Sequence, residues 1–395
     1  MITQEEARAK ILAEMQPLPA RILPLLRALG TFAAADLAAT IALPGFDNSA
    51  MDGYAVVASS CGAGARLRVI GEQPAGSDKQ LFVRPGEAAR IFTGAPMPAG
   101  ADAVIMQEDV TREDDEVILQ EAVSAGEFVR RKGGDIAEGQ KLIGTGERIS
   151  PQMLALLAAQ GLGSVAVGGQ VRAAVISTGD ELVPPGRALE PGQIFDSNSV
   201  LLQALLEQCG VEVVSVTHCA DERAEIETAM RRGIECEVLI ITGGVSVGAR
   251  DLVKPALTAV GATLDLWRVA VKPGKPFLFG RAGGCAIFGL PGNPVSAFVT
   301  FLLFVRPALL RLMGANEAAL ALRGFAARLR APLENPGDRP HYFRGTLREG
   351  FFAPVGRQES HALDGLARSD ALVMLAPNER LDAGSPVTAL VWAWS

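Results

Sequence analysis

Two lysines flank a Pro-Gly turn in the stretch Lys272-Pro273-Gly274-Lys275-Pro276. Two ammonium groups held that close repel one another unless an anion lies between them. A second stretch, Leu290-Pro291-Gly292-Asn293-Pro294-Val295-Ser296, joins the apolar run Cys285 to Phe288 to a long apolar segment. Asn293 reads as a helix N-cap and Pro294 as a first helical residue. The N–H groups beyond them, with Gly292 permitting close approach, suit a phosphate or another oxyanion. A tight turn without a ligand would use the same residues. A third stretch, Thr178-Gly179-Asp180-Glu181, sets two carboxylates side by side. Such a pair suits a hard cation such as Mg²⁺ shared with substrate phosphates, and Asp251 is placed to join it. Asp196, in Phe195-Asp196-Ser197-Asn198, is either part of that site or one of three capping residues.

Two glycine-rich stretches test nucleotide-binding alternatives. Thr242 to Gly248, with Gly243, Gly244 and Ser246, leaves backbone N–H groups free but lacks the spacing and lysine of a P-loop. Gly161 to Ala166 matches a relaxed dinucleotide fingerprint. It follows a helical pattern and precedes a strand, the wrong order for that motif.

A separate polar patch runs from Phe46 to Val56, "FDNSAMDGYAV", where Asp47, Asn48, Ser49, Asp52 and Tyr54 crowd an apolar frame. "FTGAPMP" adds Thr93 and "RKGGDI" adds Asp135. Turn chemistry accounts for Asn-Ser and Gly-Gly-Asp one at a time. Three such patches in one small module point to a site.

The elements that must position these groups follow from periodicity. Thr3 and Glu6 form a capping box for a first helix ending near Met15. Residues 41–139 read as short strands and turns, an inserted β module. Ser150 and Pro151 open a second helix that Gly161 closes, so two distant pieces, 1–40 and 140–170, are expected to form one split helical domain. From Val171 to residue 318, apolar strands alternate with helices, one of them capped near Ser197. That pattern predicts a mostly parallel sheet covered on both faces, with ligands at the strands' carboxyl ends. Residues 319–395 return to a β pattern that fits a small barrel or sandwich.

Composition narrows the function. The chain has 395 residues, 49% hydrophobic and 21% charged, with a net charge of -7. A general nucleic-acid binder is excluded on charge, so any anion must be held by a local basic patch. Five cysteines, at 61, 209, 219, 236 and 285, lack CxxC spacing and read as free thiols in a reducing compartment. The three histidines, at 218, 341 and 361, lie at no ligand spacing from them, which argues against a zinc site. The start of the chain shows no basic and apolar leader pattern, and the run from Val295 to Val305 is too short for a membrane span. The expectation is a cytoplasmic protein that binds neither membrane nor nucleic acid.

The motifs "FDNSAMDGYAV", "TGAPMP", "STGDEL", "DSN", "GGVSVG", "KPGKP" and "GLPGNPVSAF" occur here in the order seen in one family. Over essentially its whole length the chain resembles the MoeA family, the molybdopterin molybdenumtransferases, relatives of the E domains of gephyrin and of its plant counterpart. The resemblance implies a multidomain α/β plus β fold: a split helical domain, an inserted β domain, a MogA-like three-layer α/β domain and a C-terminal β-barrel. It also implies an elongated homodimer whose cleft lies between the α/β domain of one subunit and the β domain of the other.

The implied reaction takes adenylyl-molybdopterin and molybdate as substrates, inserts molybdenum into the dithiolene and releases AMP, with Mg²⁺ assisting. By motif, Lys272, Lys275, Pro276 and Ser296 fall in the pterin and molybdate neighbourhood. Glu181, Asp135, Asp52 and Thr93 match the catalytic and metal-organising set, with Asp180, Asp221 and Asp251 as further metal ligands. Thr178, Gly179, Ser197, Asn198, Gly243, Gly244, Ser246, Pro291, Gly292, Asn293 and Pro294 line the cofactor-binding loops. Arg344 in "HYFRG" and Ser360 in "RQESH" match positions that reach molybdate. The chain departs from the family after "GGVSVG", where Ala249-Arg250 stands in place of a usual acidic residue. Transient contact with a MogA-type adenylyltransferase and with molybdoenzyme chaperones is also implied. Two other readings compete: the preceding adenylyltransferase, which lacks the inserted β module, and a non-enzymatic scaffold like gephyrin.

Overall fold

The computed structural model describes residues 1–244 and 252–392. By contacts the chain separates into two compact units. One comprises Met1–Ala35, Thr145–Ala158 and Leu162–Ser395, the other Asp36–Gly144 with Ala159–Gly161.

The first unit begins with helix α1, Gln4–Ala13. Thr3 and Glu6 close both halves of the predicted capping box, and Ala7 and Ile11 are buried. The two flanks of the inserted stretch are stitched together by an antiparallel strand pair, Arg21–Pro24 with Ser164–Val167. The predicted helix between them is present as Pro151–Ala159, with the Ser150 hydroxyl accepting from the Met153 N–H at 3.1 Å.

The centre of this unit is a six-stranded sheet. Its elements in chain order are β1 (Arg172–Thr178), α2 (Ser197–Gln208), β2 (Glu212–Cys219), α3 (Arg223–Gly233), β3 (Val238–Thr242), α4 (Val253–Ala259), β4 (Thr263–Arg268), β5 (Pro276–Ala282) and β6 (Cys285–Leu290). The order across the sheet is β2-β1-β3-β6-β5-β4. The first four strands run parallel, while β5 and β4 pair antiparallel.

The strand pattern shows why both faces are covered. In β1, Ala173 and Val175 face one core, and Ala174 and Ile176 the other. The same alternation divides Val238 and Ile240 from Leu239 and Ile241 in β3. Successive side chains in a strand point to opposite faces, so a continuous apolar run needs two covering layers. On one face lie α1, α2 and the long helix α5, Pro294–Leu312; on the other lie α3 and α4. α5 is apolar and long enough to cross a membrane by length and composition, but 89% of its most apolar window is buried inside the protein. One of its turns, Phe301–Val305, is wound as a π-helix, so the single regular helix of the sequence reading has an irregular middle.

The unit ends in a closed barrel of β7 (Arg323–Leu329), β8 (His341–Arg348), β9 (Phe351–Pro354), β10 (Ala371–Leu375) and β11 (Pro386–Val391). Closure removes the exposed strand edges that a sandwich of five strands would leave. Ala327, Leu329, Phe343, Phe352 and Val373 fill it. All five cysteines are free and buried, as expected.

The second unit is built on another six-stranded sheet, in the order Ala103–Met106, Gly53–Val56, Glu87–Ile91, Arg66–Gln73, Glu116–Leu119 and Val110–Glu113. Tyr54, Val56, Leu67, Ala88 and Val117 form its core. Gly53 lies where a Cβ would stand 1.8 Å from the Ile105 carbonyl oxygen of the neighbouring strand. Backbone cannot yield to that contact without moving the strand. Gly53→Ala is therefore expected to cost about 1–3 kcal/mol or more. A lowered urea midpoint, with proteolysis starting in the second unit, would confirm it; unchanged stability would refute it.

Candidate active site

The carboxyl ends of β1, β3 and β6 open onto a cavity of about 730 Å³ in the first unit. Thr178, Gly179 and Glu181 line it from the loop after β1, Gly243 and Gly244 from the loop after β3, and Pro291 to Pro294 with Ser296 from the start of α5. Ser197, Asn198 and Asp221 complete the predicted set. Asp196 proves to be the cap of α2, its carboxylate accepting from the Ser199 N–H at 3.0 Å and hydroxyl at 2.6 Å. Ser197 is the first helical residue and not the cap, because the longer Asp side chain already satisfies the free N–H.

Asn198 is buried and fixed. Its Nδ2 donates to Thr242 Oγ1 at 2.9 Å and to the Gly292 carbonyl at 2.8 Å, tying the ends of β3 and β6 together. Among the described residues its Oδ1 and the Thr178 hydroxyl are buried without a hydrogen-bond partner. Two orphaned polar atoms in a cavity wall are the kind of groups that a bound ligand completes.

Carboxylates gather at one side. Asp180 does not line the cavity; its Oδ1 accepts the Asp221 N–H at 2.9 Å. Burial pushes the Asp221 carboxyl above its usual range, and the neighbouring Asp180 and Glu181 charges push in the same direction. Among the described residues no group of three or more His, Cys, Asp or Glu side chains forms a ready metal cage.

The two lysines occupy a second cavity, of about 470 Å³, that adjoins the first through Pro276, Asn293, Ser296 and His361. Lys272 and Lys275 line it together with Arg339, His341 and Ser360. The turn between the lysines packs on α5. Gly274 has φ 118° and a Cβ there would stand 2.5 Å from Thr300 Cγ2. The beginning of α5 is less bare than its sequence suggests. Asn293 makes no side-chain cap; its Nδ2 donates to Ser360 Oγ at 2.9 Å, and the Val295 N–H donates to the Ser360 carbonyl at 3.0 Å. A loop following the barrel strands thus takes one of the N–H groups that would otherwise meet an anion.

Arg344 lines neither cavity. It is 1% exposed and donates to the carbonyl oxygens of Arg357, Glu359 and Ala362, holding the loop that carries Ser360 and His361. Burial lowers its pKa below the usual arginine range. Ser246, Asp251 and the Ala249-Arg250 departure lie outside the described residues.

The patches of the second unit also meet. Asp52 accepts from the Thr93 N–H at 2.7 Å and the Thr93 hydroxyl at 2.8 Å. These bonds hold its carboxyl below the usual range. Asp47 binds the Lys132 N–H and the Arg131 guanidinium, both at 2.7 Å. Strand Asn48–Ser49 pairs with Val129–Arg130, which leads into the "RKGGDI" turn beside the first patch.

Sequence reasoning missed several wall residues. Histidines were weighed only against zinc, so His341 and His361 escaped notice. Ile194 and Phe195 line the first cavity, 55% and 44% exposed, with no polar signal to mark them. Arg90, which lies over the rings of Tyr54 and Phe92 at 5.0 and 5.3 Å, was also missed.

Gly274→Ala is expected to lift the lysine turn off α5 and weaken oxyanion binding by about tenfold, since overpacking costs about 1–3 kcal/mol. Thr300→Ser removes the opposing methyl and keeps the hydroxyl bonds to Ser296 and Ala297, so the double variant should recover part of the loss. Equal molybdate affinity of Gly274→Ala and wild type in calorimetry would dismiss this role for the turn.

The surrounding architecture has known relatives. Residues 2–161 match the model of the MoeA N-terminal region (domain I and II), 174–311 that of the probable molybdopterin binding domain, and 326–392 that of the MoeA C-terminal region (domain IV). The molybdopterin molybdenumtransferase of Haemophilus influenzae is 36% identical over 402 residues, covering 98% of each chain. Molybdopterin molybdenumtransferase 2 of Mycobacterium tuberculosis is 36% identical, covering 93% of this chain and 94% of its own. A molybdopterin biosynthesis MoeA protein from Pyrococcus horikoshii superposes with TM-score 0.86 at 28% identity, covering 99% of this chain and all of that one. A second crystal structure of such a protein gives TM-score 0.82 at 32% identity, covering 99% of both chains. With near-complete coverage in sequence and structure, the chain belongs to the MoeA family.

Proposed function

We propose that this chain is a molybdopterin molybdenumtransferase, which takes adenylyl-molybdopterin and molybdate to molybdenum cofactor and AMP. The observation that carries the reading is the pair of adjoining cavities. The larger has buried neutral hydrogen-bonding groups and carboxylates, the smaller a cluster of cations. An organic substrate with an amide-like ring edge suits the first, where Asn198 Oδ1 and the Thr178 hydroxyl await partners. A compact dianion suits the second, between Lys272 and Lys275. The shared wall of Pro276, Asn293 and Ser296 sets the two reactants side by side, which is the largest contribution a protein without its own nucleophile can make. An oxygen of molybdate then attacks the adenylyl phosphorus as the bond from that phosphorus to the pterin phosphate oxygen breaks. The bond from molybdenum to that oxygen breaks as the two dithiolene sulfurs bond the metal, the two thiol protons leave with a second molybdate oxygen as water, and molybdenum keeps its oxidation state. AMP leaves carrying the first molybdate oxygen.

Mg²⁺ fits this site in one form only. Glu181 and Asp221 offer carboxylates at the cavity, and burial, then the nearby Asp180 and Glu181 charges, raise the Asp221 pKa, so a cation there would be welcome. That donor set suits an ion held by one or two carboxylates and otherwise by water and substrate phosphates. When bound, the ion would neutralise the phosphate charge. The protein's own residues orient the phosphates and exclude water.

We also propose a cytoplasmic homodimer in which Asp52, Thr93 and Asp135 of one copy serve the cleft of the other. The hydrogen-bonded Asp52–Thr93 pair supports the reading, because an exposed carboxylate fixed by two donors is a preorganised group that faces solvent. The four modules, 1–40 with 140–170, 41–139, 171–318 and 319–395, are the division this proposal uses.

Purified protein incubated with adenylyl-molybdopterin, Mg²⁺ and molybdate is expected to release AMP and form active cofactor, with Lys275→Ala losing at least about 100-fold. Release of unlabelled AMP from oxygen-18 molybdate would replace the molybdate nucleophile with water. Mixing inactive Asp52→Ala and Lys275→Ala proteins should restore about a quarter of wild-type activity through mixed dimers with one intact cleft. No recovery after verified subunit exchange would refute the shared cleft.

A further inference from the structure

His341 opens β8 inside the wall of the second cavity. It is 5% exposed, and among the described residues neither ring nitrogen has a hydrogen-bond partner. The imidazole lies 3.9 Å, centroid to centroid, from the Phe343 ring. Its backbone is bound to the lysine turn: the Lys272 N–H donates to the Pro340 carbonyl at 2.8 Å, and the Tyr342 N–H donates to the Lys272 carbonyl at 2.8 Å. The ring is therefore carried on the same rigid junction as Lys272.

A buried imidazole must place one N–H donor and one acceptor. Leaving both unmade costs about 1–3 kcal/mol per group, and packing alone would be served better by an apolar ring of similar shape. Here most of the charged neighbours are cations. Lys272 and Lys275 come from the turn, Arg339 from the segment before β8, and Arg344 from β8 itself. Gln358, Glu359 and His361 face the cavity from the loop after β9. The cationic groups can only donate, and among the described residues Gln358 and Glu359 make no bond to the ring, so an anion held by the cations is the acceptor the site lacks.

We propose that His341 is an oxyanion-binding residue of the second cavity, its unpartnered ring N–H donating to an oxygen of a tetrahedral dianion seated between Lys272 and Lys275. This rests on the two-cavity reading given above and adds a residue to it. A neutral imidazole donates through one nitrogen with fixed direction, so it orients the anion where the flexible ammonium groups only attract it. Burial, then the charges of Lys272, Arg344 and Arg339, push the ring's pKa down to about 4, which keeps it neutral in the empty site. The same chemistry is offered by free molybdate and by a substrate's phosphate group, and the probes separate the two.

The chain has three histidines, so imidazole nitrogen resonances in ¹⁵N-histidine protein can be assigned by single substitutions. Molybdate and inorganic phosphate are titrated separately. A shift of the His341 resonances with either anion supports the proposal, and the anion that acts at lower concentration names the source. His341 resonances unmoved by both, while Lys275→Ala abolishes anion binding in calorimetry, would overturn the proposal and leave the two-cavity reading standing. Absence of any anion binding by wild type would overturn both. His341→Leu is expected to keep or raise the melting temperature, because it removes an unsatisfied group, and to weaken the anion about tenfold. His341→Gln, which keeps an N–H donor, should lie within about threefold of wild type. A packing role predicts the reverse: a lowered melting temperature and unchanged affinity in His341→Leu.

Discussion

Between β6 and β5 the sheet changes from parallel to antiparallel pairing, and that reversal decides where the lysines go. In a wholly parallel sheet a crossover helix would separate consecutive strands, and the start of β5 would lie at the far edge from the catalytic loops. Here β5 runs against β6, so its first residue, Pro276, stands at the same end as the carboxyl termini of β1, β3 and β6. The turn Lys272 to Lys275 is therefore delivered beside Asn293 and Ser296 without any long loop. Arg281 to Cys285, the tight link at the opposite end, makes this possible, since two strands joined by a short hairpin must be antiparallel.

The second consequence is electrostatic. The chain carries a net charge of -7, yet the smaller cavity faces Lys272, Lys275 and Arg339. Clustering like charges in a partly enclosed space costs free energy in the empty protein, and a dianion returns it on binding. The larger cavity has the opposite bias, with Glu181 and Asp221 near one another. Two fields of opposite sign that share a wall are what the proposed function requires of a site for phosphates beside a separate oxyanion. Neither field needs a protein nucleophile.

Most of the site was legible in the sequence because each part sits where backbone chemistry changes abruptly. Lys272, Lys275 and the Pro291–Ser296 turn are flanked by prolines and glycines that no buried strand would tolerate. The parallel sheet followed from runs such as Val238 to Ile241, apolar without alternation. Other features left no such mark. That Val295 donates to Ser360 depends on two loops 65 positions apart meeting, a distance in sequence that periodicity does not span. The π-wound turn in α5 lies within Phe301–Val305, where every residue is equally apolar, so the pattern reads as one helix whatever its winding. Ile194 and Phe195 are lining residues by position alone, and their polarity is that of any core segment.

The terminal barrel gains a structural role that its sequence motifs did not show. By resemblance Arg344 matches a position that reaches molybdate. Its burial and its bonds to three carbonyl oxygens make it the brace of the loop bearing Ser360 and His361. That loop in turn receives the Asn293 amide and the Val295 N–H, and so the barrel fixes the entrance of α5. His341, at the first residue of β8, is tied to the lysine turn by the backbone bonds around Lys272. A barrel whose strands present a helix cap at one loop and an imidazole at one strand end is a structural partner of the α/β sheet. Its loss would take away two walls of the smaller cavity at once, because the Ser360 loop and β8 both line it and both belong to the barrel.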